Sequence, residues 1–258
     1  MEENKGHVRV NINEDGIGTI EFYHPQSNSL PGEILSKIAK TISEASYNKE
    51  IKVIVLKSAG NRTFCAGASF DELIQIKNIK SGIEFFSGFA NVINACRKCT
   101  KIIIGRVHGK AVGGGVGIAS AVDYCFATQH ASIKLSELAL GIGPFVVGPA
   151  VERKVGKGGF SELAIGATEW RDAQWAQSKG MYSEVHESVE EMDAAIEAFI
   201  QKVKTFNPEA MAEMKKIFWE GTDHWASLLT ERALISGTLV LSDFTRNAIN
   251  KFKIFNSM

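Results

Sequence analysis

The chain has 258 residues, 45% of them hydrophobic, with 29 basic and 29 acidic side chains that leave no net charge. This length and composition allow a sizeable hydrophobic core and exclude a disordered or fibrous chain. A balanced charge provides no overall field that would attract nucleic acid or an anionic membrane, so any phosphate recognition has to be local.

The sequence carries no sign of secretion, membrane insertion or a disulfide framework. Its first ten residues, MEENKGHVRV, include acidic side chains and no apolar core of signal-peptide length, and its apolar runs are too short to span a bilayer. The four cysteines lie among apolar neighbours, as reduced core residues do. Cys96 and Cys99 have CxxC spacing but no second pair, which argues against a metal site. We therefore predict a cytoplasmic protein without a metal centre.

The first half of the chain alternates predicted strands and helices. Val8, Val10 and Ile12 alternate with polar residues, and with Asp15-Gly16 they predict the first strand and turn of a β-hairpin. The later elements predicted in this half are the second hairpin strand at 18–22, a helix at 33–47, a buried strand at 51–56, a helix at 83–99, a strand at 101–107, and short strands at 122–127 and 131–134.

Two loops rich in small residues follow predicted strands. The first is SAGNRTFCAGAS, from Ser58 to Ser69, and the second is the glycine run at 113–115, which opens a helix of small residues. Unpaired N–H groups at a helix start favour anions and developing negative charge, so the second loop indicates an oxyanion site. The first loop, taken alone, is more typical of a simple turn of the chain than of a ligand site.

From residue 146 onward the pattern is mainly helical. A strand is predicted at 182–186, and helices at 147–155, 158–166, 171–178, 189–204, 208–219, 225–240 and 243–255. The change near residue 190 predicts an α/β body over 1–190 and a helical module over 191–258. The last helices carry the large apolar residues Phe244, Ile249, Phe252, Ile254 and Phe255, so we expect this module to pack on its own body or on another subunit of a homo-oligomer.

Three motifs together resemble one family. FCAGASFDEL (Phe64 to Leu73), HGKAVGGGVGIASAVDYC (His108 to Cys125) and KLSELALGIGP (Lys134 to Pro144), in this order and spacing, resemble the enoyl-CoA hydratase/isomerase family, the crotonase superfamily. The likeness covers most of the chain and is strongest over 53–156. It implies an α/β, crotonase-like spiral of repeated ββα units with a C-terminal helical trimerisation module, in a trimer or a dimer of trimers.

The resemblance also implies a substrate and a site. Family members bind acyl-CoA thioesters, and they need no cofactor because coenzyme A is part of the substrate. The backbone N–H groups that stabilise the thioester enolate correspond to Ala68 and Gly114, and the catalytic carboxylate corresponds to Glu137. The residues expected to contact the substrate around them are Gly67, Ser69, Phe70, Asp71, Gly113, Gly115, Gly117 and Pro144.

One position departs from the family pattern. Hydratases of this family usually have two glutamates, and here Gly117 stands where the first would be. A hydratase remains the favoured activity, because GGGVGI followed by SELALGIGP also resembles the bacterial methylglutaconyl-CoA hydratases of branched-chain amino-acid breakdown, in which glycine at this position is compatible with hydration. A single carboxylate equally suits a 3-enoyl-CoA to 2-enoyl-CoA isomerase, which returns at C4 the proton taken from C2. A lyase or thioesterase of the same fold, or an acyl-CoA-binding protein without turnover, is also compatible with the sequence.

Simpler interpretations exist for several of these side chains. Outside its motif, Glu137 would be a turn carboxylate paired with Lys134 or Arg153. His108, just before the glycine loop, is interpreted as a structural turn residue. Asp71 has a second interpretation as a favourable charge at a helix start. The family often has an aspartate directly after the Gly-Ala pair, but this chain has Ser69 there, so the role of that aspartate does not carry over.

Overall fold

The computed structural model describes residues 6–256, and side chains in the last helix only as far as Lys251. Residues 1–5 and 257–258, and the side chains of Phe252, Ile254 and Phe255, lie outside the described part. The strands are β1 (His7–Ile12), β2 (Ile17–Tyr23), β3 (Ser29–Leu30), β4 (Val53–Ser58), β5 (Thr63–Cys65), β6 (Gly67–Ala68), β7 (Ile102–Val107), β8 (Lys110–Val112), β9 (Tyr124–Thr128), β10 (Ile133–Lys134) and β11 (Glu184–His186). The helices are α1 (Gly32–Tyr47), α2 (Phe70–Leu73), α3 (Ile79–Lys98), α4 (Gly114–Ala121), α5 (Gly148–Ile165), α6 (Ala173–Ser178), α7 (Val189–Val203), α8 (Pro208–Phe218), α9 (Trp225–Leu239) and α10 (Asp243–Asn256).

The largest sheet has six strands in the order β1-β2-β4-β7-β9-β11. The hairpin β1-β2 is antiparallel, as predicted, and the other pairs are parallel, with helical crossovers between them. Gly16 adopts φ +81° in the hairpin turn, and the Ile17 N–H donates to Asn13 Oδ1 at 2.9 Å. The predicted α/β class is confirmed.

Both faces of this sheet are covered, which explains why β4 is apolar without alternation. On one face, Ile54 and Leu56 join the main core, to which α1 contributes the predicted residues Ile34, Leu35, Ile38, Ile42 and Ala45. On the other face, Val53 and Val55 pack under α7 through Met192, Ile196 and Ile200. Helix α7, most of which lies after the predicted boundary at residue 190, thus covers the sheet of the α/β body. The division of the chain at residue 190 stays a prediction.

A second, three-stranded parallel sheet has the order β10-β8-β5. Because its strands are parallel, their carboxyl ends lie at one edge, where α/β proteins place ligand sites. The chain leaves β5 into Ala66 and the short strand β6, leaves β8 into Gly113 and α4, and leaves β10 toward Glu137 and a 3-10 turn at Leu138–Leu140. The motifs that were far apart in sequence therefore meet at this edge.

The C-terminal helices pack on the body. Lys215 of α8 is 2% exposed, and its Nζ donates to Asp123 Oδ2 at 2.7 Å and to the Lys101 carbonyl at 2.8 Å. Helix α9 lies against α3 so closely that a Cβ atom on Gly82 would lie 2.7 Å from Cα of Gly237. Ile249 of α10 is buried with residues of α2 and of the loop after β10. These contacts attach three C-terminal helices to the same chain's α/β body.

Replacing Gly237 by valine is expected to destabilise the protein by about 1–3 kcal/mol, because a Cβ there would lie 2.9 Å from the Ile83 backbone nitrogen. The measurement is urea unfolding, where the midpoint should fall while the slope stays unchanged. Gly158→Ala is the matched control, since no atom lies within 4 Å of a Cβ at that helical position. A Gly237→Val midpoint equal to that of wild type would contradict the packing of α9 on α3.

The four cysteines were expected to be reduced core residues. Each of the four cysteines is buried and unbridged, and burial raises the pKa values of the Cys65, Cys96 and Cys125 thiols to about 12. Such thiols are inert core groups at neutral pH.

Within the described helices, no stretch combines the length and the apolar character needed to cross a membrane. Helix α5 contains Gly156 at φ +71°, which matches the predicted interruption between 155 and 158.

Candidate active site

A cavity of about 1040 Å³ opens at the carboxyl edge of the small sheet. Its walls come from the loops after β5, β8 and β10, from α2 and α3, from the segment before α5, and from α9 and α10. Its apolar lining includes Phe70, Leu73, Phe85, Phe86, Phe89, Leu140, Ile142, Pro144, Phe145, Val146, Val147 and Phe244. A large, mainly apolar cavity with few polar groups is the usual form of a small-molecule site.

The two small-residue loops lie side by side in this cavity. Ser69 N–H donates to the Leu30 carbonyl at 3.0 Å, and Ser29 Oγ donates to the Ala68 carbonyl at 2.9 Å, so β3 holds the first loop in place. Gly67 has φ +95°, and a Cβ atom on it would lie 3.1 Å from the Val112 oxygen and 3.7 Å from the Gly114 nitrogen. The first loop thus lies directly against the glycine run.

The glycine run has no room for side chains. Gly113 adopts φ +52°, outside the range that side chains favour, and serves as the residue before α4. A Cβ atom on Gly114 would overlap the ring tip of Phe89, and one on Gly115 would overlap the Cys65 carbonyl. Gly114 is the first residue of the helix, so its N–H has no acceptor within the helix.

Glu137 follows β10 and begins the 3-10 turn. Its own carbonyl accepts from the N–H groups of Leu140 and Ile142, which fix the turn. The side chain lines the cavity beside the glycine run, since a Cβ atom on Gly113 would lie 2.8 Å from Glu137 Oε1. Oε2 is buried and has no hydrogen-bond partner. Burial of the carboxylate raises its pKa from the usual 4.5 to about 7.

The simpler interpretation of Glu137 as an ion-paired turn residue does not match this geometry. Lys134 Nζ lies 4.6 Å from the ring centroid of Trp170, and the Arg153 guanidinium stacks 3.8 Å from that of Trp219. Neither forms a salt bridge to Glu137 in the described part of the chain. A buried carboxyl with a perturbed pKa and an unpaired oxygen in a cavity is typical of a functional acid or base.

Comparisons with known proteins agree on one family. Residues 12–240 match the family described as enoyl-CoA hydratase/isomerase. The chain belongs to this family. Rat mitochondrial methylglutaconyl-CoA hydratase is 30% identical over 215 residues, which are 83% of this chain and 65% of the relative, so the chain spans less than two thirds of its length. The short-chain-enoyl-CoA hydratase of Clostridium acetobutylicum is 28% identical over 210 residues, 81% of this chain and 79% of the relative.

A solved structure confirms the crotonase-like fold. The crystal structure of an enoyl-CoA hydratase from Bacillus halodurans superposes with a TM-score of 0.87, covering 95% of this chain and 99% of that one. At 18% sequence identity this match establishes the fold alone. The α/β spiral that the motifs predicted is therefore the observed architecture.

At Gly117, where the resemblance predicts the first of two glutamates, the structure leaves no room for a side chain. A Cβ atom on Gly117 would lie 2.5 Å from Cγ1 and 2.9 Å from Cβ of Val147. The valine fills the space through which a longer side chain would pass. Glu137 is therefore the one acidic residue among the described side chains that line the cavity.

Several predicted site residues line the cavity and others do not. Those on its wall are Gly67, Ala68, Phe70, Gly113, Gly114, Glu137 and Pro144. Gly115 and Gly117 are buried behind the wall among core residues. Ser69 caps α2 by accepting from the Glu72 N–H at 3.3 Å, and Asp71 is exposed and accepts from Gln26 Nε2 at 3.0 Å. These four are not brought to the cavity, since packing and capping use them instead.

The family motifs did not identify much of the wall. The missed residues include Phe85, Phe86 and Phe89 of α3, Trp170, and Ser236, Asn247 and Lys251 of the last two helices. The aromatic spacing of α3 is visible in the sequence, but it predicts only a helix and not which side of that helix faces a site. His108 is buried outside the cavity, where burial and then the charge of Arg106 lower its pKa to about 4.

Proposed function

We propose that the protein is an enoyl-CoA hydratase that adds water across the C2=C3 bond of an α,β-unsaturated acyl-CoA thioester. The observation that carries this proposal is a buried, unpaired carboxylate, Glu137, beside two small-residue loops in an apolar cavity. Family membership over residues 12–240 provides the chemical context. The proposed reaction needs no cofactor, because coenzyme A arrives as part of the substrate.

The proposed oxyanion hole consists of the N–H groups of Ala68 and Gly114. Addition of water at C3 leaves negative charge on the thioester oxygen, and two fixed N–H donors stabilise that charge without reorganising during the reaction. Support comes from the close approach of Gly67 to Gly114 and from the free N–H at the start of α4. The helix start adds a favourable dipole for the same charge.

Glu137 is the proposed acid–base group for both proton transfers. As a carboxylate it takes a proton from the attacking water, and as the resulting acid it delivers that proton to C2. A pKa of about 7 suits a group that has to act in both directions near neutral pH. The lack of a second lining carboxylate among the described residues makes this double role necessary.

A 3-enoyl-CoA to 2-enoyl-CoA isomerase is the second candidate. This activity is favoured by the closed position at Gly117, where Val147 fills the space of the first family glutamate, because an isomerase needs only one base. A non-catalytic acyl-CoA-binding protein is a weaker third candidate, because a binder has no need to bury an unpaired carboxylate at a cost in stability.

The predicted homo-oligomer also remains a proposal. Large apolar side chains are exposed on α8 and α9, namely Met214, Ile217, Phe218, Leu234 and Ile235. Exposed apolar patches on a chain of this size commonly contact another subunit, which supports a trimer or a dimer of trimers. The cytoplasmic location, and the absence of nucleic-acid or membrane partners, stay predictions of the sequence.

A panel of three substrates tests the proposed function. Purified protein is incubated separately with crotonyl-CoA, 3-methylglutaconyl-CoA and a 3-enoyl-CoA, and the products are separated by liquid chromatography. We expect 3-hydroxyacyl-CoA from at least one of the first two. Double-bond migration in the third, with no hydration of the others, would establish the isomerase instead. Binding of all three without any product would support the non-catalytic protein.

A further inference from the structure

Two lysine side chains flank one indole ring at the cavity wall. Lys134 Nζ lies 4.6 Å and Lys110 Nζ 4.9 Å from the ring centroid of Trp170. Because both ammonium groups lie within 5 Å of one centroid, they are within about 10 Å of each other. Lys134 and Trp170 line the cavity, whereas Lys110 is exposed on the outer side.

Adjacent backbone segments hold these three residues. Lys134 pairs with Val112 across β10 and β8, and Lys110 lies two residues before Val112, on the same face of the sheet. Trp170 precedes Arg171, which forms a bridge with Ile133 on the other side of β10. In this lysine–tryptophan cluster, Lys110 and Lys134 therefore lie on strands of one sheet, and Trp170 directly precedes a residue bridged to that sheet.

The cluster has positive charge without a carboxylate partner. Neither Lys110 nor Lys134 takes part in a salt bridge within the described residues, which also holds for most lysines of this chain. Contact with an aromatic face stabilises each ammonium, but the two like charges repel each other. An anion bound beside Lys134 would relieve that repulsion. Since Lys134 lines the cavity, that anion would belong to the occupant of the cavity.

The distance from the proposed oxyanion hole indicates which anion this is. The Gly113 N–H donates to the Lys134 carbonyl at 2.9 Å, so the lysine backbone lies one residue from Gly114. A lysine side chain adds about 6 Å of reach. The pantetheine arm between a thioester and the CoA diphosphate is as long as about four extended residues, roughly 14 Å. A carboxylate at C5 of an acyl chain lies only about 5 Å from C1. The lysine therefore reaches the acyl carboxylate more readily than the diphosphate.

We propose that Lys134, supported by Lys110 and Trp170, binds a carboxylate at the far end of the acyl chain. The preferred substrates are then CoA thioesters of short unsaturated dicarboxylic acids. This inference rests on the proposed function and narrows its substrate class. A charge-assisted hydrogen bond in a mainly apolar cavity should favour such an acyl chain by about tenfold to hundredfold over the same chain without the carboxylate.

Binding of two saturated thioesters tests this inference without chemistry. Glutaryl-CoA and pentanoyl-CoA have acyl chains of equal length, differ in the terminal carboxylate, and have no double bond to hydrate. Isothermal titration calorimetry at pH 7.5 should give wild type at least tenfold higher affinity for glutaryl-CoA. Lys134→Met should reduce that ratio to near one, Lys110→Met should reduce it in part, and Lys134→Arg should keep most of it.

Lys179→Met is the matched control, because Lys179 Nζ lies 5.7 Å from the Trp175 centroid in a similar contact outside the cavity. It should leave the ratio unchanged. Equal affinities in wild type would overturn the inference. A second result would also overturn it. If Lys134→Met lost affinity equally for both CoA thioesters, and this loss disappeared with acyl-pantetheine thioesters, the lysine would bind a CoA phosphate instead. The thermal midpoint of each variant shows whether it is folded.

Turnover separates this inference from the proposed function. If wild type prefers glutaryl-CoA but does not hydrate glutaconyl-CoA, the carboxylate site stands and the hydratase assignment fails. If it hydrates 2-pentenoyl-CoA and glutaconyl-CoA with equal kcat/KM and binds the saturated pair equally, the hydratase stands and the carboxylate site is refuted.

Discussion

Replacing Glu137 by glutamine is expected to lower kcat about 10³-fold, with little change in KM. Glutamine preserves the shape of the side chain but can neither take a proton from water nor deliver one to C2, and general acid–base catalysis contributes about 10²–10⁴ in rate. The measurement is steady-state kinetics on the substrate that wild type hydrates best. Glu213→Gln is the control, since this glutamate is exposed on α8 and pairs with Lys216. A Glu137→Gln variant within tenfold of wild type would contradict the assigned role.

The same glutamate predicts a pH dependence of activity. Burial raises its pKa to about 7, and the proposed mechanism starts from the carboxylate. In wild type, log kcat/KM should therefore rise with a slope near one below pH 7 and level off above it. The 3′-phosphate of coenzyme A itself titrates at about pH 6, so the profile is measured again with an acyl-pantetheine thioester, which lacks that phosphate; a limb that persists belongs to the protein. A flat profile between pH 5.5 and 8 would exclude Glu137 as the titrating base.

Glu137→Gln should also change stability, with a sign that depends on pH. The folded pKa of Glu137, about 7, is above the usual 4.5, so folding favours the protonated acid. Stability from this group is then present at low pH and is lost as the pH rises toward and through 7. The glutamine variant should therefore unfold at a higher temperature than wild type at pH 8.5, and this difference should shrink by more than half at pH 5. A variant less stable at pH 8.5 would contradict the buried, unpaired carboxylate.

Replacing Gly114 by alanine is expected to lower kcat about 10²–10³-fold. The new methyl group would overlap the ring tip of Phe89, which is 5% exposed and cannot move freely, so the Gly114 N–H has to shift. Losing one donor to a developing oxyanion commonly costs this much in rate. Because the interaction is made mainly in the transition state, kcat should fall more than KM rises.

A second substitution distinguishes a displaced donor from general damage. In a Gly114→Ala/Phe89→Leu double variant the ring tip is gone, so the glycine run can return to its position and kcat should recover at least tenfold. Gly158→Ala provides the control for adding a methyl group where no atom lies within 4 Å, and it should match wild type. Failure of the double variant to recover, with a normal unfolding midpoint, would count against the oxyanion role.

Local patterns predicted most of the helices and strands well. The last helices begin and end within about two residues of their predicted positions. Helices α7, α8 and α10 each have an apolar face, and α7 and α8 also have a capping side chain, at Ser188 and Asn207. Helix α3 starts at Ile79, four residues before the prediction. The first turn is set by the capping box of Asn78 and Ser81, which the apolar periodicity does not include.

The site was predictable only where local sequence determines it. The glycine run and Glu137 follow directly after strands of one parallel sheet, so their meeting could be predicted from sequence. The wall formed by α3, α9 and α10 could not, since it depends on helix packing through Gly82 and Gly237. The absence of a side chain at Gly117 was evident from the sequence. Its filling by Val147, thirty residues later in the chain, required the tertiary structure.

The most direct test of the central claim follows oxygen from solvent into product. Wild type is incubated with a 2-enoyl-CoA in water enriched in ¹⁸O, and the acyl-CoA products are measured by mass spectrometry. Hydration with Glu137 as the acid–base group predicts a 3-hydroxyacyl-CoA that carries one ¹⁸O atom, formed about 10³-fold more slowly by Glu137→Gln. Two results would contradict this account. One is isomerisation of a 3-enoyl-CoA with no solvent oxygen in any product, and the other is labelling by Glu137→Gln at the rate of wild type.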